Sequence, residues 1–113
     1  MTADPGAQLR VEDAGHDEPV RVIGELDIRT CDELERAVGG YADTGKRVVL
    51  DLSGLTFCDS TGLAGLVRLH KRASVAGGEL VLRAPVPRVH NLLALTGLNR
   101  LFTIEPAEGS APA

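Results

Sequence analysis

The chain has 113 residues and a formal net charge of −4, and 43% of its residues are hydrophobic while only 3% are aromatic. This length fits one domain, because two separate hydrophobic cores would need a longer chain. The acidic balance and the few aromatic residues argue against direct nucleic-acid binding, which uses a basic surface and base stacking.

The N-terminal residues and the two cysteines are typical of a cytoplasmic protein. The opening residues contain neither the basic nor the apolar segment of a secretory signal. No run approaches the roughly 18 apolar residues of a membrane span. Cys31 and Cys58 form no C-x-x-C pair, so both are expected to be free thiols. We therefore expect a cytoplasmic location and no membrane association.

The first third of the chain predicts two strands and a helix. Residues 1–7 are expected to be disordered, and Leu9 and Val11 alternate with polar residues as in a half-exposed edge strand. A turn over residues 13–19 leads to a second strand at 20–26. Thr30 and Glu33 then fit the S/T-x-x-E capping box of a helix. The predicted inner face of this helix comprises Leu34, Ala37, Val38 and Tyr41.

A strand followed closely by a helix forms the centre of the sequence. The apolar run Val48–Leu50, which precedes Ser53 and Gly54, predicts a short strand covered on both faces. Helical periodicity begins after the small polar segment Cys58–Gly62. The predicted inner face of this helix comprises Leu63, Leu66, Val67, Leu69, His70 and Ala73.

The start of this helix allows two interpretations of Ser60. A hydroxyl there can cap the first backbone N–H groups, which have no partner within the helix. A phosphate attached to the same hydroxyl would be stabilised by the positive end of the helix dipole. From the pattern alone, the cap is the simpler interpretation.

The last third of the chain predicts a strand, a helix and a final strand. Leu80–Leu82 reads as a strand, and Pro87 begins a helix that ends before Gly97. Its inner stripe comprises Val89, Leu92, Leu93 and Thr96. Leu101–Ile104 is the last predicted strand, and the tail at 106–113 is expected to be flexible. The alternation of strands and helices predicts a mostly parallel sheet.

Three motifs in this order resemble the STAS domain family, and in particular its anti-sigma factor antagonists. They are Gly24–Asp27, Phe57–Leu63, and Ala84–Pro85 followed by Leu92–Leu98. The resemblance covers residues 8–105. It implies an α/β fold with a single domain, in which a mixed, mostly parallel sheet of about five strands packs on three to four helices. The first strand would be antiparallel.

The resemblance also implies a switch. STAS antagonists bind an anti-sigma factor, usually itself a serine kinase, and so free a sigma factor. Phosphorylation of Ser60 would end this binding, and a serine phosphatase would reset it. Thr61 is the competing phosphate acceptor and is otherwise expected to cap the helix. Asp27 and Asp59 are expected to support the phosphorylation site.

The implied partner-binding surface surrounds the serine loop. Ala64 and Gly65 are expected on the outer face of the central helix, where small side chains let another protein approach closely. The full set of implied partner-binding residues is Asp27, Arg29, Thr30, Ser60, Thr61, Gly62, Ala64, Gly65 and Arg68. The sequence leaves open whether the protein is a monomer or a weak dimer.

The sequence contains no constellation typical of an enzyme or a metal site. Ser60 lacks a G-x-S-x-G elbow, and the histidines are expected in a loop (His16), buried and hydrogen-bonded in the core (His70), and at the surface (His90). No His/Cys pair has metal-ligand spacing, so we expect no catalytic residue, metal or cofactor. The alternative function is a STAS module that senses a nucleotide or small molecule, or that acts within a larger signalling assembly.

Overall fold

The computed structural model describes residues 9–13 and 19–106. The predictions for residues 1–7, for His16 and for residues 107–113 lie outside this range. The elements of the described residues, in chain order, are β1 Leu9–Glu12, β2 Val20–Leu26, α1 Cys31–Ala42, β3 Arg47–Cys58, α2 Ser60–Val75, β4 Glu79–Arg83, α3 Pro87–Leu95, a 3-10 turn Leu98–Arg100, and β5 Thr103–Glu105.

The strands form one sheet in the order β1-β2-β3-β4-β5. β1 is antiparallel to β2, and the pairs β2–β3, β3–β4 and β4–β5 are parallel. Each α-helix therefore connects two adjacent parallel strands, as in a series of βαβ units. The predicted fold class, a mixed and mostly parallel sheet with an antiparallel first strand, is confirmed.

The hydrophobic core lies between the helices and one face of the sheet. Val48, Leu50 and Leu52 of β3 are at most 6% exposed, and they share one cluster with buried residues of all three α-helices. Val49 between them is only half-buried, so the prediction that β3 is covered on both faces is wrong. The side of the sheet that carries Val49 also carries ion pairs between strands, including the one between Arg47 and Glu105.

β3 is longer than the sequence predicts, because it continues past Ser53 and Gly54 to Cys58. Two irregularities in its pairing with β2 accommodate the additional residues. Leu52, Leu55 and Cys58 are spaced by three yet all are buried, since a bulge re-aims the side chains that follow it. As a result β3 ends beside the end of β2, where Cys58 pairs with Leu26.

α2 packs against both the sheet and α1, so it has more buried surface than a single apolar stripe predicts. Gly65, expected on the outer face, is buried, and an added Cβ would lie 3.4 Å from the Cβ of Cys31. Val67, expected inside, is only half-buried. On α1, Ala37 is exposed while Gly39 and Ala42 are buried, because the contact with α2 rotates the buried face.

His70 differs from its predicted environment. Its ring is half-buried and packs edge-on against Phe102, with ring centroids 5.5 Å apart. The buried Nδ1 atom has no hydrogen-bond partner in the described part of the chain. The prediction of a buried and hydrogen-bonded histidine is therefore wrong, because the aromatic neighbour offers no acceptor or donor in the ring plane.

Candidate functional site

The site forms where β2 and β3 end side by side. The backbone N–H of Asp59 donates to the carbonyl of Leu26 at 3.3 Å, which continues the contact between the two strands. A Cβ on Gly62 would lie under 3.0 Å from that same carbonyl oxygen. The first turn of α2 therefore lies directly against the residue that precedes Asp27, and this close approach requires glycine at position 62.

Asp59 caps α2. Its backbone is extended (φ −108°, ψ −173°), and its carboxylate accepts from the backbone N–H of Gly62 at 2.9 Å. The predictions that Ser60 or Thr61 caps the helix are both wrong, because β3 ends one residue earlier than they require and both hydroxyl residues are already helical.

Ser60 is consequently available. It is the first residue of α2 and is exposed. Across the described residues, no group forms a hydrogen bond with its hydroxyl. A hydroxyl that has no structural role and lies at a helix N-terminus can be modified without removing an internal contact.

The loop after β2 is fixed by its own side chains. The Asp27 carboxylate accepts from the Arg29 backbone N–H and from the Arg29 guanidinium, both at 2.9 Å. The Thr30 hydroxyl donates to the Glu25 carbonyl at 2.8 Å and accepts from the Asp27 N–H at 3.0 Å. Thr30 is thus the N-cap residue of α1 by position, but it makes no side-chain cap bond. The predicted capping box is wrong, because the hydroxyl closes this loop instead.

The ionisation of Asp27 is stabilised by this arrangement. The hydrogen bond from the Arg29 guanidinium lowers the pKa of Asp27 below its usual value, and this effect exceeds the opposing effect of burial. Asp27 is therefore a carboxylate at neutral pH, only 5% exposed and held against an arginine. It is a rigid acidic group beside the start of α2.

The predicted partner-binding residues differ in their accessibility. Arg29, Ser60 and Arg68 are exposed, while Thr61 and Ala64 are half-buried. Ser60, Ala64 and Arg68 are spaced by four and so lie along one face of α2. The remaining members of the set are buried and so lie behind this surface, namely Asp27, Thr30, Gly62 and Gly65.

Arg68 is already engaged on the surface of the molecule. Its guanidinium binds the Glu35 carboxylate through two hydrogen bonds of 3.0 and 2.7 Å, which join α2 to α1. The pair lowers the pKa of Glu35, chiefly through the hydrogen bond from Arg68. Arg72 of α2 and Asp43, the C-cap residue of α1, form a second such pair. These exposed pairs bridge α2 to α1 and to the residue that follows it.

Both cysteines are free and buried. Burial, together with the charge of Asp59, raises the pKa of the Cys58 thiol to about 12, so it stays protonated and unreactive. The Cys31 sulfur lies near the carboxylates of Asp32 and Glu35, with one potential ligand atom of each within 4.8 Å of the others. A cation bound there would have to displace Arg68 from Glu35.

One residue near the site was not singled out by the sequence. Ile28, between Asp27 and Arg29, is 73% exposed. Its carbonyl accepts a weak hydrogen bond from the Cys31 thiol at 3.9 Å, so its backbone belongs to the fixed loop. An apolar residue within a polar loop was the available signal in the sequence.

A cavity of about 510 Å³ lies elsewhere, at the ends of β4 and β5. Its lining includes Ala84, His90, Asn99 and Glu105. Glu105 is paired there with Arg83 and Arg47. The cavity therefore has the size of a small-molecule site, and its acidic group is already neutralised.

The chain is similar in sequence to a known domain family and to several named proteins. Residues 9–104 match the family described as Mlab, STAS domain. The anti-sigma F factor antagonist of Paenibacillus polymyxa is 33% identical over 96 residues, which are 81% of this chain and 80% of that protein. The anti-sigma-B factor antagonist of Listeria monocytogenes is 30% identical over 103 residues, which are 90% of each.

A solved structure is similar over nearly the whole chain. The crystal structure of an anti-sigma factor antagonist from Mycobacterium paratuberculosis superimposes with a TM-score of 0.67 and 34% identity, covering 94% of this chain and 92% of that one. Among the described residues, no helix combines the length and the apolar character needed to span a membrane.

Proposed function

The chain belongs to the STAS domain family, and from that premise we propose that it is an anti-sigma factor antagonist that binds an anti-sigma factor and so frees a sigma factor. Two relatives with names of this kind are 33% and 30% identical to it over most of the chain. The observation that carries the proposal is the exposure of Ser60 at the start of α2, where Asp59 and not Ser60 caps the helix.

The partner meets the surface formed by the loop of Arg29 and the outer face of α2. Ser60, Thr61, Ala64 and Arg68 provide the helix side of this surface, and its small residues permit close approach. Asp27, Thr30, Gly62 and Gly65 act from beneath, since they are buried. The rigid loop reduces the entropy that is lost when the partner binds.

Phosphorylation of Ser60 ends this binding. The partner kinase transfers the γ-phosphoryl group of ATP to the Ser60 oxygen, so that a serine O–P bond replaces the bond to ADP and the hydroxyl proton leaves to a base of the kinase. The added −1.5 to −2 charge stands beside Asp59 and near Asp27. Removing such a cluster from water costs several kcal/mol, and each ~1.4 kcal/mol lost weakens binding tenfold.

The kinase and the phosphatase of the switch are other proteins, and this chain is their substrate. The anti-sigma factor is itself the serine kinase, and a serine phosphatase removes the phosphate by hydrolysis. The chain contributes a binding surface and a phosphate acceptor and no catalytic residue. All of these steps take place in the cytoplasm, where sigma factors direct transcription.

The test is a phosphopeptide map of the protein isolated from its own host, with Thr61→Ala as the matched control for Ser60→Ala. We expect one phosphate on Ser60, which Ser60→Ala abolishes and Thr61→Ala leaves in place. Ser60→Asp should in addition lose the anti-sigma factor that the wild-type protein retains.

Two results would contradict the proposal. A phosphate on Thr61 would assign the switch to the neighbouring hydroxyl. No phosphate under growth and stress conditions, together with unchanged partner binding by Ser60→Asp, would favour the small-molecule alternative. The cavity at the ends of β4 and β5 would then be the first place to examine.

A further inference from the structure

Arg29 is a partly exposed cation whose guanidinium is bound to Asp27. Its guanidinium lies 2.9 Å from one Asp27 carboxylate oxygen and 3.9 Å from the Glu25 carboxylate, and its side chain is 42% exposed. The backbone of the loop is held independently, by the Asp27 carboxylate on the Arg29 N–H and by the Thr30 hydroxyl. Neither of these two backbone contacts uses the guanidinium.

The loop that carries this cation begins beside the first turn of α2, which Ser60 opens. Leu26 and Cys58 are paired at the ends of adjacent parallel strands, which run about 4.8 Å apart. The Asp59 N–H and the Gly62 backbone both contact the Leu26 carbonyl. The loop that carries Arg29 begins at the next residue, so the long arginine side chain can reach the first turn of α2.

Arg29 is also the basic residue that is available to bind a phosphate on Ser60. In the two segments that form the site, residues 25–31 and 57–63, it is the only basic residue, whereas Glu25, Asp27 and Asp59 are acidic. Arg68, further along α2, is bound to Glu35 through two hydrogen bonds. A phosphate carries more negative charge than a carboxylate and can likewise accept two hydrogen bonds from a guanidinium.

We propose that phosphorylation of Ser60 draws the Arg29 guanidinium away from Asp27 and onto the phosphate, so that Arg29 is the intramolecular receptor of the switch. This proposal rests on the proposed modification of Ser60. The phosphoprotein then differs from the free protein in two ways, because the serine side carries a paired phosphate and the Asp27 carboxylate has lost its arginine. Both changes alter the surface that the partner meets.

The test places phosphoserine at residue 60 of the full chain by stop-codon suppression, which requires no kinase. A ³¹P NMR titration then gives the second pKa of the phosphate, ordinarily about 6. We expect this pKa to be about 0.5–1 unit higher in Arg29→Ala than in the protein that keeps Arg29, because the mutation removes an adjacent positive charge. Arg29→Lys should lie between the two.

Arg36→Ala and Arg68→Ala serve as matched controls. Arg36 is exposed on α1 and has no ion pair within the described residues, so its removal should leave the phosphate pKa unchanged. An unchanged pKa in Arg29→Ala would overturn the proposal, and so would an equal increase in either control. A ¹H–¹⁵N spectrum of unphosphorylated Arg29→Ala verifies that the fold is intact.

This measurement separates the two proposals. The phosphate is introduced during translation, so the role of Arg29 is tested even if no kinase of the host modifies Ser60. Conversely, if the phosphate pKa does not respond to Arg29→Ala, only the role of Arg29 is refuted. The phosphopeptide map of the host protein still tests whether Ser60 is phosphorylated.

Discussion

Asp59 and Ser60 are adjacent polar residues with separate roles. Asp59 keeps an extended backbone and accepts a hydrogen bond from Gly62, while Ser60 begins the helix and stays exposed. Because the cap is a carboxylate, it stabilises the helix N-terminus through its charge as well as through the hydrogen bond. The serine hydroxyl is therefore not required as the cap of the helix.

We predict that Asp59→Ala lowers the free energy of unfolding by about 1 kcal/mol, the usual cost of a lost N-cap. Thr61→Ala is the matched control and should change it by less than about 0.5 kcal/mol. Urea denaturation followed by circular dichroism measures both. A larger loss for Thr61→Ala than for Asp59→Ala would show that the threonine caps α2 after all.

α2 illustrates how one element satisfies two neighbours. Its N-terminal turn lies on the end of β2, and its next turn packs against α1. Gly62 is needed because a Cβ would collide with the carbonyl of Leu26, which is backbone and cannot move alone. Gly65 has more room, since the nearest atoms to an added Cβ are 3.4 Å and 3.7 Å away.

The same substitution should therefore have opposite effects at these two glycines. Gly62→Ala is expected to destabilise the protein by about 1–3 kcal/mol, because the start of α2 must move away from β2. Gly65→Ala should stabilise it by about 0.5–1 kcal/mol, because alanine favours the helix and the space suffices. Chemical denaturation of the two variants side by side measures the difference. Equal destabilisation would show that the helices cannot accommodate one methyl group.

Across the whole molecule, ion pairs join elements that are distant in sequence. Glu35 binds Arg68 between α1 and α2, Asp43 at the C-cap of α1 binds Arg72 of α2, and Glu105 binds Arg83 between β5 and β4. Hydrogen bonds from these arginines lower the pKa values of all three acids, as Arg29 does for Asp27. Each such acid binds protons more weakly in the folded protein than in the unfolded chain.

The pH dependence of stability follows from the direction of these pKa shifts. A carboxyl group whose pKa is lowered by folding contributes stability above its unfolded-state pKa, which is 3.8 for Asp and 4.5 for Glu. This stability is lost as the pH falls through the folded-state pKa. We predict that the urea midpoint is constant from pH 7 to about pH 5 and falls steadily below it.

Arg68→Gln should make the fall below pH 5 less steep, because Glu35 then has a more ordinary pKa in the folded state. Arg36→Gln is the control, and its profile should follow that of the wild-type protein. Parallel profiles for all three proteins would contradict the assignment of this stability to the Glu35–Arg68 pair.

Local patterns along the chain were enough to predict the order of strands and helices and the family of this protein. Alternation, helical periodicity and the Pro and Gly positions predicted the strand–helix order, and the Gly24–Asp27 and Phe57–Leu63 motifs placed it in the STAS family. These features depend on neighbouring residues, because strand and helix periods are properties of local backbone geometry. The parallel sheet followed from the same order, since connections between such strands are short and nearly always of one hand.

Only the tertiary structure decided how the site is built. Asp59 caps α2 because β3 extends further than its composition suggests, and Gly65 is buried because α1 lies over it. The Asp27–Arg29 pair and the Thr30 hydroxyl closing the loop likewise depend on the path of the chain after β2. Such contacts join residues by their position in space, and the periodicity of one segment carries no information about what packs against it.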